Sequence, residues 1–143
     1  MSRMIFVNLP VTALGRAMRF YEKIGFINEP RFTDETAACM VWSEAIFVML
    51  LTHEKWKTFT TRPIPARGSS EVSLALNCES RDAVDLMMAL AGEHGGVRDI
   101  NPPQDHGFMY QCSFTDPDDH VWEPFWMDPN GTDGDADAAQ PAH

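Results

Sequence analysis

The sequence is short of positive charge, and it has no long apolar run. Each shortage closes off a class of function. Lys and Arg number 11 against 21 Asp and Glu, for a formal net charge of −10. Nucleic acids and anionic membrane surfaces are bound through clustered Lys and Arg, so neither is expected as a partner. No apolar stretch reaches the roughly 18 residues that a bilayer-crossing helix needs. The opening segment, MSRMIFVNLPV, has neither the long apolar stretch nor the small-residue cleavage site of a secretory signal. A soluble cytoplasmic protein is the expectation. Cysteines are three, Cys39, Cys78 and Cys112, with no C-x-x-C spacing. They suit reduced, buried thiols in a reducing compartment.

What the sequence does have is apolar mass. Of 143 residues 44% are hydrophobic, including nine Phe, four Trp and nine Met. That is ample for one domain or for two small modules sharing a core. Part of the acidity is terminal: residues 128–143, DPNGTDGDADAAQPAH, hold four Asp and no Lys or Arg. Such a segment has little to bury, and a disordered acidic tail is expected there.

Between the ends, the chain reads as two similar halves, 1–52 and 71–127. In MIFVNLPV (4–11), Ile5, Val7, Leu9 and Val11 alternate with Phe6, Asn8 and Pro10, the pattern of a strand with one apolar face. Pro10 cannot donate to a ladder and belongs at an edge or a strand end. Thr12 is placed to cap a helix carrying Leu14, Ala17, Met18, Tyr21 and Ile24, which Gly25 ends. Strands are expected over 26–31, 36–42 and 45–52, the last two joined by a turn at Ser43-Glu44. The order then recurs. Val72, Leu74, Leu76 and Cys78 alternate along a strand, Ser80 precedes a helix with Ala83, Leu86, Met87, Leu90 and Ala91, and Gly95-Gly96 ends it. Strands follow near 97–101, 107–115 and 120–127, with the turn Pro117-Asp118-Asp119 before the last. Leu9 and Leu74 hold equivalent places 65 residues apart. Residues 53–70 join the halves, with a short helix from His53 to Phe59 followed by a linker. A long-period repeat of this kind marks two copies of one supersecondary unit. The fold class is α+β: two β-α-β-β-β modules forming curved mixed sheets around a cleft. The helices cover the Leu9 and Leu74 faces, and the faces that begin at Phe6 and Glu71 are left to line the cleft.

With IFVNLPVTALGRAMRFYEKIGF (5–26) and FTDPDDHVWEPFW (114–126) set in this order, the sequence resembles the vicinal oxygen chelate superfamily. This is the group of glyoxalases, bleomycin-resistance proteins and extradiol dioxygenases. The resemblance covers about residues 4–127 and implies the fold. It does not name a reaction, because the fold hosts several. Members with metal chemistry place a divalent ion at four matched positions, commonly with His and Glu as ligands. Carried onto this sequence, those positions fall on Phe6, Val48 (with Leu50 next on that face), Glu71 and Glu123. Two of the four have no donor atom, no His stands at any, and two carboxylates alone are a weak hard-cation site at best. The resemblance also implies a homodimer, or else modules that pair within one chain with Trp56 and Phe59 covering the interface.

Three readings stay open. One is a protein that binds a small organic ligand in its cleft without the usual metal and with no cofactor. Phe6, Asn8, Val48, Asn77, His106, Phe108 and Tyr110 are its candidate ligand-binding residues. A second is a divalent-metal-dependent glyoxalase-like lyase, isomerase or dioxygenase with an altered ligand set, Glu123, Glu71 and His106. A third is a metal-free acid/base enzyme using Glu123 and Glu71 as catalytic residues. A carboxylate among apolar neighbours such as Val121, Phe125 and Met127 is poorly solvated and gains proton affinity, which suits a general base. The plain alternative for both acids is a structural ion pair with Arg31, Arg67 or Arg98.

Overall fold

The computed structural model describes residues 3–131, so the expected tail falls almost wholly outside the described residues. The first unit runs β1 (Ile5–Val11), α1 (Leu14–Ile24), β2 (Ile27–Glu29), β3 (Ala37–Val41) and β4 (Ile46–Thr52), and α2 (His53–Phe59) follows it. The second runs β5 (Ser73–Asn77), α3 (Arg81–Glu93), β6 (Val97–Arg98), β7 (Gln104–Asp105), β8 (Met109–Gln111), β9 (Phe114–Thr115) and β10 (Val121–Met127). The first sheet has the order β1-β4-β3-β2. The second has β6-β9-β10-β8-β7, with β5 on the free side of β10. In both units the first strand lies parallel to the last, Leu9 beside Leu50 and Leu74 beside Trp122. The first unit is β-α-β-β-β; the second closes in the same way, but between α3 and β10 it has four short strands where two were expected.

Two local expectations fail for visible reasons. The strand expected over 107–115 is broken after Gln111, opposite Pro124. Cys112 donates its N–H to the Pro124 carbonyl (3.0 Å), but proline has no N–H to return, so the ladder is interrupted there. Thr12 does not cap α1. Its N–H and hydroxyl both bond Asp118 Oδ1, at 2.9 and 2.8 Å, and the N-cap position is Ala13, without a side-chain cap. Ser80 does cap α3, through Ala83 N–H at 3.0 Å. Gly25 ends α1 with φ +121°, a conformation open to glycine. At Gly96 a Cβ would sit 2.5 Å from the Thr115 carbonyl, so this close approach of chain to chain also requires glycine.

The core lies between the sheets and the two long helices. Val48, Leu50, Ala38 and Met40 from the first sheet and Leu76, Phe114 and Trp122 from the second meet Phe20, Tyr21, Val84 and Met88 of the helices. At its centre is a buried polar junction. Tyr21 O–H donates to Asp116 Oδ2 at 2.5 Å, and Trp122 Nε1–H donates to the Tyr21 oxygen at 3.0 Å. Asp116 Oδ1 accepts the N–H groups of Asp118 and His120, shaping the turn before β10. His120 Nε2 lies 2.7 Å from the carbonyl of Pro10, a carbonyl on the open edge of β1. These bonds tie the first module to the second. Burial, and the neighbouring Asp116 carboxylate after it, push the Tyr21 phenol well above its usual range. Burial pushes the Asp116 carboxyl upward as well.

Replacing Tyr21 by Phe strands two buried partners, which places the expected loss near 2–3 kcal/mol by urea unfolding. The raised Asp116 pKa carries a sign. Its contribution to stability is fully present below the unfolded carboxyl pKa and is lost as pH rises through the folded one. The side chain of Asp116→Asn does not titrate, so the variant is expected to gain on the wild type in paired urea melts as pH goes from about 4 to 7.

Candidate functional site

On the faces turned away from α1 and α3, a groove crosses both sheets as a series of pockets that share walls. The largest has a volume of about 450 Å3. Ala37, Met49 and Leu51 of the first sheet line it together with Asn8, and α2 adds Trp56 and Phe59. The strand register explains this: Ala37 pairs with Leu51 and Cys39 with Met49, so these side chains alternate with the core residues Ala38, Met40, Val48 and Leu50. The helix that completes the pocket is started by Thr52, whose hydroxyl accepts the Lys55 N–H at 3.1 Å. Lys55, Thr60 and Arg62 stand around the same pocket. A second pocket, of about 210 Å3, shares Asn8 and Trp56 with the first and continues to Glu71, Val72, Asp119 and Val121. A third, of about 360 Å3, is lined by Glu71, Ser73, Asn101 and Glu123.

The structure thus brings Glu71 and Glu123 to one pocket. The surroundings of Glu123 are mixed: Val72, Ile100 and Val121 share its pocket with polar groups. The carboxylate accepts a hydrogen bond from Ser73 Oγ (2.9 Å), and Asn101, Gln104, Gln111 and Ser113 line the recess beside it. Neither acid pairs with an arginine: within the described residues, the ion pairs are Arg16–Asp118, Arg31–Glu29 and Arg81–Asp105. Asn8 lines two of the pockets. Phe6 is 50% exposed and stacked on Phe47, ring centroids 4.5 Å apart, beyond the pockets themselves.

Other expected site residues lie elsewhere. Val48 is 0% exposed and packs in the core under α1. Both faces of β4 are apolar, so its alternation did not reveal which side was the cleft. Tyr110 pairs with Trp126 on the α3 side of the second sheet. Its hydroxyl donates to Asp85 Oδ1 at 2.6 Å, which pushes the phenol upward. Arg81 of α3 stacks over the rings of Tyr110 and Trp126, at 5.1 and 5.3 Å, and grips Asp105 with two bonds of 2.9 and 2.7 Å. That clasp holds the Asp105 carboxyl down to about 2. His106 and Phe108, rings 6.2 Å apart, sit in the turn that it anchors. They belong to this structural clasp and lie apart from Glu123. Asn77 closes β5 beside Phe125 and lines none of these pockets. The free thiols of Cys39, Cys78 and Cys112 are pushed upward by burial, so they stay protonated and poorly nucleophilic.

No family model matches the sequence, and no curated protein does. Solved structures match well. A glyoxalase/bleomycin resistance protein/dioxygenase family enzyme from Burkholderia phytofirmans superposes with a TM-score of 0.75 at 16% identity, over 88% of this chain and 99% of that one. A hypothetical protein from S. aureus gives 0.74 at 21% identity, over 88% and 95%. The fosfomycin resistance protein FosX from Mesorhizobium loti gives 0.60 at 18%, over 88% and 90%.

The chain has the vicinal oxygen chelate fold. Identities this low establish the fold, and the ligand has to be argued from the residues of this chain. Few donor atoms stand at the positions where the resemblance would put a divalent ion. Phe6 offers no ligand atom, and the groove-facing residues of β4 are Phe47, Met49 and Leu51. Glu71 and Glu123 are the two carboxylates left at the matched places. Among the described residues no three His, Cys, Asp or Glu side chains converge as ligands, and His106 does not join the two acids. The residues that sequence reasoning missed as a site are Met49, Leu51, Lys55 and Arg62. Trp56 and Phe59 stood out only as possible interface cover.

Val48→Ala is expected to cost about 2 kcal/mol in denaturant melts, the cost of a small buried cavity. It should leave any ligand's affinity within about twofold, because Val48 does not face the groove.

Proposed function

We propose that this protein binds a small, largely apolar organic molecule in the groove, without the superfamily's divalent ion. The observation that carries the reading is the 450 Å3 pocket, whose mostly apolar surface comes from Ala37, Met49, Leu51, Trp56 and Phe59, with Asn8, Lys55, Thr60 and Arg62 around them. Its volume and chemistry are those of pockets that enclose small organic ligands. The name of one fold neighbour, a fosfomycin resistance protein, agrees with small-molecule handling in this architecture. Fluorescent apolar probes, neutral and charged, are expected to bind at one site per chain, equally with and without chelator. Trp56→Ala should weaken them by about tenfold or more. No saturable binding by any of them overturns the reading. Stoichiometric Zn, Ni, Mn or Fe binding that is lost in Glu123→Gln overturns its metal-free part.

The same reading includes a homodimer. Met4, Ile5 and Phe6 are all half-exposed or more along the open edge strand β1, an apolar strip that a second copy would cover. Light scattering should give twice the chain mass, and Phe6→Asp should shift it toward the monomer. The free thiols fit a reducing cytoplasmic setting.

A further inference from the structure

We infer that the pocket under α2 selects organic anions, meaning an apolar body that carries a carboxylate, sulfonate or phosphonate group. This rests on the groove-binding reading above and adds the ligand's charge. The chain is strongly acidic, with a net charge of −10. Yet the charged side chains lining this pocket are Lys55 and Arg62, and no acid lines it. Neither base has an ion-pair partner within 4.0 Å among the described residues. Lys55 lies over the Phe59 ring, its Nζ 5.5 Å from the centroid, so its charge is held at the pocket wall. The acid close enough to feel it, Asp34, is already committed through one carboxylate oxygen to Thr36 and Ala37.

A second observation points the same way. The indole Nε1–H of Trp56 is shielded from solvent and has no acceptor. A buried donor without a partner is costly, and a small turn of the ring toward the pocket would let an anionic ligand oxygen supply one. The remainder of the groove has the opposite sign. Asp119 and Glu71 line the second pocket, and Glu71 and Glu123 the third. Charge therefore runs from positive under α2 to negative beside β10. An anionic group is drawn to the α2 end and repelled from the other, which sets the direction in which the ligand lies.

The test uses two fluorescent probes of nearly the same shape, anilinonaphthalene sulfonate and uncharged phenylnaphthylamine, titrated into the full chain at fixed ionic strength. The sulfonate is expected to bind about tenfold or more tightly, the margin of a charge-assisted contact. The double variant Lys55→Gln/Arg62→Gln should cut the ratio of the two affinities to about twofold or less. Trp56→Phe, which keeps a ring and removes the N–H, should weaken the sulfonate selectively. Equal affinity for the two probes, or a sulfonate affinity untouched by the double variant, overturns the charge selection and leaves groove binding standing. Absence of binding by both probes overturns both.

Discussion

The groove exists because Asp116 is buried. Its two oxygens take the phenol of Tyr21 from one module and two backbone N–H groups of the turn in the other. Through Tyr21 the bond passes on to the indole of Trp122 on the last strand. A carboxylate in such a place is costly unless each of its bonds is made. The network therefore tolerates one relative position of the two sheets. Thr12 on Asp118 and His120 on Pro10 repeat the constraint at the rim. The pocket walls from β4, β5 and β10 meet across a boundary with no strand pairing, and this junction holds that boundary in register.

The outer faces of the two sheets then divide the labour. The first sheet and α2 supply apolar surface with two bases, and the second supplies carboxylates among amides and hydroxyls. An ion held between the sheets would need donors from both at one point. On the first sheet's side stand Phe6, Phe47, Met49 and Leu51. That side is defined by shape, apolar surface and the two bases. Glu71 is exposed, and Glu123 accepts its hydrogen bond from Ser73.

The fold was legible in the sequence where polar residues marked a face. Glu123 in VWEPFWM sets the alternation of β10, and Asn8 sets that of β1, and both strands lie as their patterns indicate. In β4 the run IFVMLL is apolar on both sides, so the period of two carries no direction. That is why the buried Val48 read as a cleft residue while Met49 and Leu51 went unnoticed. His106, Phe108 and Tyr110 read as candidate ligand-binding residues. Their clasp depends on Arg81, distant in sequence, which no local pattern reveals. The charged lining of the main pocket was hidden for a related reason. Lys55 and Arg62 belong to a short helix and the segment after it, and they gain meaning only once that helix lies on the sheet.

Ser113 has a consequence for how this groove can change over time. Its backbone groups point away from β10 and hold a passing loop on the β6 side. Its carbonyl accepts the Asp99 N–H at 2.8 Å and its hydroxyl the Asn101 N–H at 2.9 Å. Asn101 thereby becomes part of the wall beside Glu123. The loop is fastened at two points and belongs to no strand between Arg98 and Gln104. Its other side chains can be exchanged without disturbing sheet pairing or the core. The two bonds to Ser113 thus separate the part of the wall that can vary from the frame that cannot. Descendants of this chain could change what the acidic end accepts while keeping the same scaffold.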